Sequence, residues 1–149
     1  MSKKTFPSLV LAASLLVGSA YAGDEDLSQY VGAFSASDEQ FITITLGDDG
    51  LEIEGNATWG MGDPERVERG GVNMGEFSAS VPRDWISNKG FSFAVAEEGT
   101  VPASEAEQYD CVIKIKFGPD ASYFDAKDNY SCGGMNVTFS GRYFRRAAE

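Results

Sequence analysis

The chain has 149 residues, 42% of them hydrophobic, with 23 acidic side chains against 12 basic ones and a formal charge of −11. It contains no histidine. That absence removes the usual general base near neutral pH, the Ser-His and Cys-His nucleophile pairs, and the commonest zinc and copper ligand. The acidity argues against nucleic acid or an anionic membrane as the main partner.

The first residues read as an export signal. Lys3 and Lys4 give a positive start, residues 9–17 an apolar centre, and Ala20, Tyr21 and Ala22 the small-x-small pattern that a signal peptidase reads. The apolar run is shorter than the ~20 residues a membrane span needs, and no cysteine sits at the cleavage point to carry a lipid. Cleavage after Ala22 leaves residues 23–149, or 127 residues, which suits one domain. All acidic residues and ten basic ones lie beyond Ala22, so the mature charge is −13. The expected location is the periplasm or the exterior.

In the mature region, residues 30–34 predict a short first strand. Residues 41–46 alternate Ile42, Ile44 and Leu46 against Thr43 and Thr45, and residues 47–50 are turn chemistry. Leu51 and Ile53 then resume the apolar face, with Glu52 and Glu54 turned to water. Residues 60–71 hold four glycines, one proline and five charges, which predicts a loop with a short helical turn begun at Asp63 and Pro64. Long loops on a rigid sheet are where binding groups tend to sit, so Trp59, Asp63 and Arg66 are candidate binding residues.

Residues 72–81 and 91–95 predict two further strands, joined by a connection with Trp85 and Ile86 tucked beneath it and Asn88, Lys89 and Gly90 as its turn. The acidic stretch 96–108 reads either as a loop or, from 102, as a short helix. Tyr109, Cys111, Ile113, Ile115 and Phe117 then share one strand face, and residues 118–120 begin a turn. The midpoint between Cys111 and Cys132 falls inside residues 120–123, so folding there sets the cysteines opposite each other. An even cysteine count in an oxidising compartment predicts a structural disulfide. The turn adds Asp120, Tyr123 and Asp125 to the candidate binding residues; with Asp128, its aspartates are also the best oxygen cluster for a hard cation. The last stretch, 132–146, alternates Val137, Phe139, Gly141 and Tyr143 against Thr138, Ser140, Arg142 and Phe144, and predicts a final strand that closes a sheet.

These elements predict an all-β fold, a small antiparallel barrel or sandwich of six to eight strands with one disulfide. There is no Gly-x-Ser-x-Gly elbow, phosphate loop, His-based metal motif or calcium loop, and no cofactor is expected.

The segment from Asp128 to Tyr143, with its Cys-Gly turn and Phe-x-Gly-x-Tyr ending, is similar to the closing segment of small exported bacterial proteins. Size, export, acidity and one disulfide further resemble bacterial lysozyme inhibitors, small periplasmic β-barrels that plug the cleft of a basic muramidase. The family's Ser-Gly-x-x-Tyr loop is not found as such; the nearest sequence is Ser140, Gly141, Arg142 and Tyr143, within the expected last strand. No inhibitory residue is therefore carried over. The reading is a non-catalytic exported protein that binds a basic protein, such as a cell-wall hydrolase or a toxin. A barrel carrying a small molecule is the alternative, and a hydrolase using paired carboxylates the third.

Overall fold

A computed structural model describes residues 25–148; the expected signal segment and the expected cleavage after Ala22 lie outside the described residues. Nine strands succeed one another: β1 Gly32–Ser37, β2 Gln40–Leu46, β3 Gly50–Trp59, β4 Asn73–Pro82, β5 Gly90–Ala96, β6 Gly99–Val101, β7 Cys111–Phe117, β8 Tyr123–Asp128 and β9 Gly141–Arg145. All pairings are antiparallel, in the order β4-β3-β2-β1-β9-β8-β7-β5-β6. The edge strands β4 and β6 approach where the Ser80 amide donates to Thr100 Oγ1 at 3.0 Å, so the sheet curls into a nearly closed barrel.

The strand count is nine, not six to eight. β6 is only three residues long and lies in the acidic stretch 96–108, where a loop or short helix was expected. A 3₁₀ turn, Ala103–Glu105, comes directly after it. At the chain's start a 3₁₀ turn, Leu27–Tyr30, replaces the beginning of the expected first strand, because Asp26 caps it by accepting from the Ser28 amide at 3.0 Å. The expected β2–β3 hairpin forms, with Ile44 opposite Ile53 and Leu46 opposite Leu51, but Leu46, read on the apolar face, is exposed where the strand meets the turn. Asn88 and Lys89 both take positive φ, the geometry of a tight hairpin turn.

Alternation fills the interior. Tyr30, Phe34, Phe117, Phe124 and Tyr143 pack at ring-centroid separations of 4.4–6.0 Å. Phe77 adds Phe93 at 5.7 Å and Phe139 at 4.9 Å. Tyr109, expected on the inner face ahead of Cys111, is instead outside β7 and 82% exposed.

The last stretch departs most from expectation. Its C-terminal part does close the sheet: β9 lies between β1 and β8 and joins the two groups of strands. Yet residues 129–140 lie outside any strand, although Val137 and Phe139 still point into the core. Side chains replace the missing ladder. Asp128, the one buried charged residue among those described, accepts from the Phe139 amide at 3.0 Å, Thr138 Oγ1 at 2.8 Å and Ser140 Oγ at 2.6 Å. From the other side Gln40 Nε2 donates to the carbonyls of Thr138 (3.0 Å) and Ser140 (3.1 Å).

The segment then crosses to β4, where the Gly134 amide donates to the Met74 carbonyl at 3.0 Å. This approach needs glycine on both sides, since a Cβ on Gly75 would lie 2.8 Å from Gly133 Cα, and one on Gly133 equally close to Gly75 Cα. Cys111 and Cys132 are bonded, but not as a pair within two strands. The β7–β8 register sets Ile113 opposite Asp128, where β8 ends, so Cys132 reaches back from the crossing segment. A bond closing 21 residues stabilises by about 3 kcal/mol in the chain-entropy model.

Asp128→Ala strands a buried amide and two hydroxyls and is expected to cost about 2–4 kcal/mol, read as a lower urea midpoint at unchanged slope. A second expectation concerns alkali. Burial, reinforced by Asp128, raises the Tyr143 hydroxyl well above its ordinary pKa, and burial with the Glu25 carboxylate does the same for Tyr30. The folded chain keeps protons that the unfolded chain releases near pH 10, so stability should hold to about pH 10 and fall as pH rises beyond it. Tyr143→Phe should flatten that fall in denaturant titrations at stepped pH.

Candidate functional site

Strand direction divides the connections between two ends. The short turns 47–49 and 118–122 and the 3₁₀ turn Leu27–Tyr30 lie at one end. The other, the loop end, carries residues 60–72, 102–110 and 129–140. Expected binding residues fall into two groups at opposite ends, and the structure does not bring them together.

The first group is one compact knot at the loop end. Asp63 caps α1, Pro64–Glu68, by accepting from the amides of Glu65 (3.0 Å) and Arg66 (3.3 Å), which is the helical turn expected there. Its second oxygen lies 3.3 Å from Arg66 Nε, and the Arg66 guanidinium sits 4.2 Å over the half-buried Trp59 ring. These three residues hold their own loop in shape.

The second group, on the β7–β8 hairpin, is equally occupied. Asp120 accepts from the Ser122 amide at 3.1 Å and fixes the turn. Asp125 takes Arg142 of β9 bidentately at 2.7 and 2.9 Å, and that guanidinium lies 4.5 Å over Tyr123. Hydrogen bonding from Ser122 holds the Asp120 carboxyl below its ordinary pKa, and the Arg142 hydrogen bond does so for Asp125. Asp120, Asp125 and Asp128 therefore have separate partners, and among the described residues no group of three or more acidic or cysteine side chains could hold a metal ion. The Ser140-to-Tyr143 stretch is no projecting loop either: the fully buried Tyr143 hydroxyl donates to the Phe139 carbonyl at 3.0 Å.

What the sequence did not single out is the apolar character of the loop end. Met61, Met74 at the start of β4, and Met135 are 54, 60 and 79% exposed, and Val67 and Tyr109 are exposed in the loops of the same end. Two of the methionines are fixed as neighbours: Gly134, which bonds to the Met74 carbonyl, precedes Met135, and Asn73 Nδ2 donates to the Met135 carbonyl at 2.6 Å. Exposed carboxylates of Glu65, Glu68, Glu105 and Glu107 share these loops, and those of Asp38, Glu97 and Glu98 lie in the β1–β2 and β5–β6 turns at the same end. Met74 was readable as an outward position of a strand, but only the crossing segment sets Met135 next to it.

Because the Asp120 and Asp125 pKa values are depressed, their contribution is present above the unfolded value of about 4 and is lost as pH falls from there through their lower folded values. Asp125→Asn should therefore lower the melting temperature slightly at neutral pH and narrow the drop seen between pH 5 and pH 3, in thermal melts followed by circular dichroism. The chain matches no protein family model, no curated protein and no solved structure.

Proposed function

We propose that this chain is an exported, non-catalytic binding protein that receives a basic protein at its loop end. The observation that carries the reading is the exposure of Met61, Met74 and Met135 at one end of the barrel, among loops rich in carboxylates. These are all the methionines after Met1. A buried methionine is the ordinary outcome for so apolar a side chain. Clustered exposed apolar groups mark interaction surfaces, and the flexible thioether adapts to irregular partners. The surrounding carboxylates supply a field that steers a cationic protein toward the patch.

A basic cell-wall hydrolase or a toxin fits this chemistry, in keeping with the resemblance to lysozyme inhibitors. The loop end, rather than the Ser140-to-Tyr143 stretch, would make the contact. Two features support binding over the alternatives. Aromatic rings occupy the space between the strands that a carrier would need for its ligand. Asp63, Asp120, Asp125 and Asp128 are each engaged in holding local structure, not paired across a cleft.

The test uses the oxidised protein as bait for an envelope extract, followed by titration with the purified captured protein. Affinity for a basic partner should fall at least tenfold between about 0.05 and 0.5 M salt, and Met74→Ser with Met135→Ser should weaken it at least tenfold while leaving the melting temperature unchanged. Salt-independent affinity, or full affinity in the methionine variant, would overturn the proposal.

A further inference from the structure

The outer wall of β7 and β8 carries charge of the opposite sign to the chain as a whole. Lys114 and Lys127 are direct partners in the β7–β8 register, and both are exposed. Residues so paired hold their Cβ atoms about 5 Å apart, and like charges there are destabilising. A chain with 23 acidic residues could readily place a carboxylate opposite one of them. The nearest candidate, Asp125, is instead held bidentately by Arg142, and neither lysine has an ion-pair or hydrogen-bond partner among the described residues.

Two open grooves flank β7 and share Lys114 and Lys116. One, of about 620 Å³, is bordered by Trp85 and Ser92; the other, of about 450 Å³, by Lys127, Tyr130 and Ser140. Tyr130 stands 73% exposed on a backbone with φ of +62°, which aromatic residues seldom adopt. From Trp85 to Tyr130 the wall thus offers an aromatic ring, a lysine pair and a second aromatic ring, across strands about 5 Å apart.

We propose that this wall binds a short acidic saccharide, with its acidic group between Lys114 and Lys127 and a sugar ring stacked on Tyr130. Sugar rings present a C–H face that packs on an aromatic ring, and their acidic groups supply the charge that the lysine pair lacks. A long polyanion, such as extended single-stranded nucleic acid, is disfavoured because the net negative charge of the chain as a whole repels it. A ligand with few charges is governed by cations within a Debye length of about 10 Å. This inference concerns the barrel wall and does not rest on the loop-end reading.

The test is calorimetric titration of the full mature protein at low salt with trigalacturonate, its sulfated counterpart, its neutral methyl ester, inorganic phosphate and a short single-stranded oligonucleotide. At least one acidic trisaccharide should bind, with the methyl ester at least tenfold weaker. Lys114→Ser with Lys127→Ser should lose at least tenfold, and Tyr130→Ala severalfold. Lys127→Glu should abolish binding while raising the melting temperature, a combination that a purely structural role for Lys127 would not give. Met74→Ser with Met135→Ser should bind normally. No binding of either acidic trisaccharide, equal binding of the methyl ester, or tighter binding of phosphate or the oligonucleotide would overturn the proposal.

Discussion

The hydrogen bonding of Asp128 is the constraint on which the closing of the barrel depends. A carboxylate taken out of water must be fully hydrogen-bonded to be tolerated, and here three donors from one short stretch, Thr138, Phe139 and Ser140, supply the bonds. The bonding therefore works in both directions. It satisfies Asp128, and it holds an extended segment at the barrel's end without any ladder. With Gln40 binding the same stretch from β2, the segment is clamped between two strands that are not neighbours in the sheet.

That clamp sets much of its surroundings. Phe139 is brought against Phe77 in the core, Cys132 comes within reach of Cys111, and Gly133 and Gly134 can lie against the start of β4. Asn129 adds to this junction by accepting from the Val112 amide and donating to the Asp110 carbonyl. The disulfide thus joins β7 to a segment already tied to β4 and β8, so its cross-link and the hydrogen bonds act on one structural unit. The exposed methionines belong to the same arrangement: the crossing segment fixes Met135 beside β4, and Asp128 fixes the segment.

The molecule's surface then separates by chemistry. Acidic and apolar groups gather where the long loops leave the barrel, whereas unpaired cations stand on the wall of β7 and β8. Alternation alone sends Lys114, Lys116 and Lys127 outward, but it says nothing of which strand lies beside which. Net charge, read from the chain as a whole, hides such a division. A protein with a large negative total can still present a local field of the other sign, because screening confines each field to about 10 Å.

Much of the fold was legible because its signals are local. Period-two alternation in residues 41–53 and 111–117 marked strands, turn residues marked 47–49 and 88–89, and Asp63 with Pro64 marked the one helical turn. The candidate residues were legible only as local knots: Trp59, Asp63 and Arg66 do meet, and Tyr123 and Asp125 do share Arg142, but both groups stabilise their own loops. Short β6, weakly patterned β8 and the ladder-free stretch 129–140 were not legible, since the first two carry too few large apolar residues and the third has strand alternation without strand pairing. By itself the sequence determined the all-β class, the cysteine pair and most of the inward-facing side chains within the strands, all of which rest on residue type and spacing; Leu46 and Tyr109, at or beyond strand ends, are exposed despite their place in the alternation. Only the tertiary structure decided the strand order, the crossing segment and the neighbours of Met74 and Lys114, because these depend on contacts between residues far apart in the chain.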